Sequence, residues 1–124
     1  MSPSSQTPRG RMMAAFAAAE LLVALSPLGV DPAVVSTDSR QEWGFLPGTN
    51  FERPIGVSLH FTNPDDVTAF ARAVGARLST RPGEYSGRSY IDTVADGEIN
   101  GVPFHAWART HTAHGERPKA VKAA

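Results

Sequence analysis

Apolar and polar residues alternate strictly over residues 55–61, where Gly56, Ser58 and His60 separate Ile55, Val57, Leu59 and Phe61. A period of two is the mark of a strand with one buried face. The period then changes. Val67, Phe70, Ala71 and Val74 fall at i, i+3, i+4 and i+7, the apolar stripe of a helix. Its ends are written in the flanking residues: Asn63 as N-cap, Pro64 at the first helical position, Asp65 and Asp66 where the helix dipole favours negative charge, and Gly75 as left-handed cap.

Alternation returns over residues 89–111, interrupted by Asn100-Gly101, the preferred pair for a two-residue type I′ hairpin turn. Pairing outward from that turn sets Ile99 opposite Val102, Gly97 opposite Phe104, Ala95 opposite Ala106 and Thr93 opposite Ala108 on an apolar face. The other face receives Glu98 with Pro103, Asp96 with His105, Val94 with Trp107 and Asp92 with Arg109. Pro103 fits this register, because the pair next to the closing pair is not hydrogen-bonded and a missing N–H does no harm there. By the same reasoning the outer side of that strand should lack a neighbour near the turn, making it an edge or the start of one. Asp96-Gly97 is the competing turn signal. Asn100-Gly101 is preferred because it leaves longer alternating strands on both sides.

The remaining segments are less sharply patterned. Residues 10–25 are rich in Ala, Met and Leu and read as a helix stopped by Pro27 and Gly29, with apolar residues nearly all round. Such a helix either wants cover on more than one side or tolerates exposure because its alanines are small. Residues 33–37 read as a short strand followed by a turn at Asp38-Ser39-Arg40. Trp43-Gly44-Phe45-Leu46 is either a second short strand or a loop whose rings plug the core. Residues 76–81 read as a strand and residues 82–87 as a turn-rich loop. The expected fold is α+β, a mainly antiparallel sheet of four to five strands with two helices on one face. Residues 1–10 are expected to form a disordered arm, residues 11–111 one domain, and residues 112–124 a flexible basic tail.

Composition adds limits. The chain has 124 residues, 41% of them apolar, sufficient for one core. Twelve basic side chains balance 12 acidic ones, so no long-range field draws the chain to nucleic acid or an anionic membrane. The absence of cysteine rules out disulfides and thiolate metal sites, and fits a cytoplasmic location. The apolar run at residues 12–25 follows Arg9 and Arg11, like the core of a signal peptide. Glu20 within it and the lack of a cleavage site argue against that, and the run is too short to span a bilayer.

No phosphate loop, nucleophile elbow or metal cluster is evident, so the expectation is of no metal, no cofactor and no catalytic residue. His105 across the ladder from Asp96 is the one pairing suited to general-base work, although an exposed strand face with alternating charge gives the same pattern for solubility alone. His111 and His114 make half a metal site with no third ligand. Arg77, Arg81 and Arg88 form a modest basic group near the loop at 82–87, which lacks the ending of a phosphate loop. Tyr90, Asp92, Asp96, His105, Trp107 and Arg109 share the polar side of the hairpin, and aromatic residues with arginine on an exposed sheet face are what a protein-binding hot spot needs. The same aromatics could stack bases beside a basic tail carrying Arg117, Lys119 and Lys122. Against both, Trp107 could be covered by residues 43–46 or by the first helix.

Abundant Ala, Arg used over Lys, and the course from Asn63-Pro64-Asp65-Asp66 through Gly75 to the strand Val102-Pro103-Phe104-His105-Ala106-Trp107 resemble small uncharacterised proteins of actinobacterial chromosomes, phages and mobile elements, over residues 21–108. The resemblance implies a cytoplasmic accessory role and transfers no catalytic residue. The leading expectation is a non-catalytic accessory, adaptor or inhibitor protein that binds a protein partner, or a second copy of itself as a homodimer, through the aromatic sheet face or the apolar first helix. A nucleic-acid-associated regulator and a small enzyme using His105 with Asp96 are the alternatives.

Overall fold

The structure, a computed structural model, describes residues 7–39 and 55–111. The Trp43 to Leu46 segment, His114, the tail and the first six residues of the arm lie outside the described residues. The elements run α1 (Pro8–Leu25), β1 (Val34–Ser39), β2 (Ile55–His60), α2 (Pro64–Val74), β3 (Arg77–Tyr85), β4 (Arg88–Ile99) and β5 (Val102–His111). They form an α+β fold, its five strands in the order β1-β2-β5-β4-β3.

The β4–β5 hairpin has the register expected from its turn, with Ile99 opposite Val102, Gly97 opposite Phe104 and Asp92 opposite Arg109. Asn100 and Gly101 take φ of 50° and 81°, the left-handed pair of a type I′ turn. The second hairpin was hidden in what reads as a loop. Strand β3 runs on through Pro82 and Gly83 to Tyr85, and the chain reverses at Ser86-Gly87, again with both φ positive at 54° and 77°. Counting from that turn, Pro82 opposite Ile91 occupies a non-hydrogen-bonded position of an edge strand, where proline is tolerated.

Sequence pairing does not anticipate the partner of β2. Strand β2 lies parallel to β5, from Val57 opposite Phe104 to His60 opposite Trp107, so the sheet is mixed though mostly antiparallel. This ladder begins one residue beyond Pro103, which leaves the proline without a partner on that side; beyond it β5 is the central strand and not an edge. Helix α2 carries the chain away from β2, and the β3–β4–β5 meander brings it back beside that strand.

Both helices cover one face. Val57 and Leu59 from β2, Ala95 from β4 and Val102, Phe104, Ala106 and Ala108 from β5 are buried there against Ala15, Ala18 and Leu22 of α1 and Val67, Phe70 and Ala71 of α2. Phe70 meets Phe104 edge-on at 6.1 Å and Phe61 at 5.4 Å. Fully burying Phe70 stabilises by about 1.5–3 kcal/mol, more than the tenths that propensity offers per residue. The α2 ends form as read: the Asn63 side chain accepts from Asp66 N–H at 3.0 Å, and Gly75 at φ 72° donates to Ala71 C=O. Helix α1 starts at Pro8, within the segment expected to be disordered, because Thr7 caps it by accepting from Gly10 N–H at 3.0 Å. Strand β1 also outruns its expected end, since Asp38 and Ser39 pair with Gly56 and Ile55 instead of turning.

Two glycines of the hairpin separate conformation from space. A Cβ at Gly101 meets nothing within 4 Å but sits at φ 81°, whereas one at Gly97 stands 2.6 Å from Phe104 Cζ. Gly101→Ala is expected to lose about 1–2 kcal/mol through backbone strain alone, and Gly97→Ala about 1–3 kcal/mol through displacement of the Phe104 ring. Urea unfolding checks both; a Gly97→Ala protein as stable as wild type would contradict the packing of Phe104 over this glycine.

Candidate functional site

Alternation along a strand sends neighbouring side chains to opposite faces. Because Phe104, Ala106 and Ala108 point to the helices, His105, Trp107 and Arg109 point away from them. The register fills in the rest of that second face row by row. Ser36, Ser58, His105, Asp96 and Arg77 lie in one row across all five strands, and Val34, His60, Trp107, Val94 and Ser79 in the next. All six residues singled out in the sequence, Tyr90, Asp92, Asp96, His105, Trp107 and Arg109, share this face. Helix α1 packs on the other side and does not cover Trp107.

Two charge pairs organise the face. The Arg109 guanidinium donates from Nε and Nη2 to the two carboxylate oxygens of Asp92 at 2.8 and 3.0 Å. These hydrogen bonds raise the Arg109 pKa above its ordinary value against the opposing effect of burial, so the group keeps its charge. Arg81 reaches across the β3–β4 ladder to Asp96 at 3.1 Å. The Arg81 contact commits a member of the basic group to a carboxylate, while Asp96 lies opposite His105 as the turn predicts and has Arg81 as a second neighbour. The loop expected beside that basic group is strand, which separates Arg77 and Arg88 to opposite ends of the β3–β4 hairpin.

Pinned by Asp92, the guanidinium lies over the Tyr90 ring, its Cζ 3.6 Å from the centroid and 5.6 Å from that of Trp107. His60 stacks on Trp107 with centroids 4.2 Å apart and planes 27° from parallel. His111 meets the edge of the series at Tyr90, 6.2 Å away. Gly83 opposite Tyr90 makes room for that ring, since a Cβ there would clash with it. The result is a continuous His60–Trp107–Arg109–Tyr90–His111 row in which each π face meets a ring or a cation. Beside it His105 Nε2 lies 3.2 Å from Ser58 Oγ.

An open depression of about 380 Å³ lies over this row, bounded by Val34, Ser58, His60, Trp107 and Arg109. A wider one of about 840 Å³ lies toward the Asn100-Gly101 end, bounded by Arg77, Glu98, Pro103 and His105. Arg81 and His105 border both. Ser58 and His60 are the members that the sequence did not point to, because they reach the site only through the parallel β2–β5 ladder. Among the described residues, no group of three or more His, Asp or Glu could hold a metal ion, and no helix is long and apolar enough to cross a membrane.

Asp92 and Arg109 are partly buried, with side chains 19% and 34% exposed. A double-mutant cycle of Asp92→Ala with Arg109→Ala is expected to give a coupling of about 1 kcal/mol, above the exposed-pair median because the contact is bidentate and below a buried pair because water still screens it. Additive losses in chemical denaturation would show that the pair does not hold the row together.

No protein-family model, curated protein or solved structure matches this chain. Its function is therefore argued from the geometry of the face alone.

Proposed function

We propose that the chain is a non-catalytic accessory or adaptor protein that docks a protein partner on the open face of its sheet. The observation that carries this reading is the His60–Trp107–Arg109–Tyr90 row on a face that neither helix covers. Tyrosine, tryptophan and arginine present large contact area, and the cross-ladder pairing with Asp92 fixes the guanidinium before any partner arrives. Less side-chain entropy then remains to be lost on docking. The open depression beside Trp107 offers a seat for one apolar anchor of the partner, and the rim of serine, histidine and aspartate gives it hydrogen-bonding groups.

The charge pairing weighs against nucleic acid as the occupant of this face. Phosphate contacts need cations free to replace counterions, while Arg81 and Arg109 already face Asp96 and Asp92. It also weighs against general-base catalysis by His105 with Asp96. Arg81 already donates to that carboxylate, so Asp96 is shared and not dedicated to orienting His105.

Affinity capture from the source cells, quantified by mass spectrometry, tests the proposal with Trp107→Ala, Arg109→Ala and a control, Leu78→Ser, on the other side of the sheet. A specific partner should lose roughly thirtyfold in affinity, about 2 kcal/mol, with either face variant and keep its affinity for the control. Circular dichroism should show all three variants folded. A partner retained at full affinity by both face variants would falsify the proposal.

A further inference from the structure

The outer side of α1 carries a second pattern, independent of the sheet face. At about 100° per residue the buried stripe Ala15, Ala18 and Leu22 marks one side of the helix, and Arg9, Met13, Phe16, Glu20 and Val23 align on the side turned away from it. Their spacing of four, three, four and three residues is that of a coiled-coil seam. The seam is bare, with Met13 60% and Phe16 50% exposed. It is also bounded by charge: Arg9 and Glu20 are exposed and have no ion-pair partner among the described residues.

We propose that α1 pairs with the α1 of a second copy in an antiparallel two-fold contact. With the axis midway between Ala14 and Ala15, each Arg9 meets the partner's Glu20, and each Met13 meets the partner's Phe16. The apolar centre is thereby closed at both ends by opposite charges, as a self-complementary isologous patch requires. Other arrangements of the same two helices fail on charge. A parallel pair sets Arg9 against the partner's Arg9 and Glu20 against the partner's Glu20. An antiparallel pair shifted by half a heptad toward the C-terminus brings Glu20 onto the partner's Phe16 and leaves both carboxylates unpaired. Ala17 and Ala24 border the seam with small side chains, which lets the helices approach closely.

Sedimentation equilibrium across about 1–300 µM, a span chosen for a contact smaller than a standard interface, is expected to show reversible growth from monomer to twice the monomer mass. Phe16→Asp should abolish the dimer, and because Phe16 is exposed its circular dichroism spectrum should match that of wild type at a concentration where wild type is monomeric. Arg9→Glu and Glu20→Arg should each weaken association about five- to tenfold, more so at low salt. The double swap, Arg9→Glu with Glu20→Arg, should restore wild-type association to within about twofold. Trp107→Ala, on the opposite side of the molecule, should leave the dimer unchanged, so this test is separate from that of the sheet face. A wild-type chain that stays monomeric throughout overturns the proposal. A dimer indifferent to Phe16→Asp overturns it as well, and a dimer that the double swap does not restore overturns the antiparallel register.

Discussion

The Asn100-Gly101 turn holds the whole molecule in one register. Strand β5 is the central strand, and alternation makes its two faces two different things: Phe104, Ala106 and Ala108 are the floor of the core, while His105, Trp107 and Arg109 are the centre of the open face. A slip of one residue at the turn would put the indole and guanidinium under the helices and the phenylalanine in water. Core and candidate site therefore rest on the same left-handed pair of backbone angles. A change of register moves both at once.

Local chemistry made part of the fold readable. Asn63-Pro64 and Gly75 bound α2 with specific hydrogen bonds, and Asn100-Gly101 sets a register by counting. Thr7-Pro8 is the same kind of start as Asn63-Pro64, yet it is followed by Arg9-Gly10-Arg11, where no apolar period supports it. Residues 82–87 looked like a loop because Pro and Gly are read as breakers. At an edge strand both are permitted, and Gly83 is required there by the Tyr90 ring. Composition cannot distinguish an edge strand from a loop when the strand buries almost nothing, and most of β3 is exposed.

The site followed a similar division. Six of its residues were found together because an antiparallel ladder with a known turn fixes every cross-strand pair. Ser58 and His60 were seen only as the polar positions of an amphipathic strand. The parallel contact that brings them beside His105 and Trp107 spans 47 residues of sequence and leaves no turn to count from.

The two proposed surfaces lie on opposite sides of the molecule. The helices lie on one side of the sheet and the aromatic row on the other, so a two-fold contact through α1 buries the apolar side of the molecule and turns both rows outward. A dimer built this way would present two copies of one docking face at a fixed separation. Engaging a partner with two matching sites then becomes partly intramolecular, and a face of modest affinity gains avidity without any new contact. In that dimer one stripe of α1 would serve the core and the opposite stripe the contact between copies.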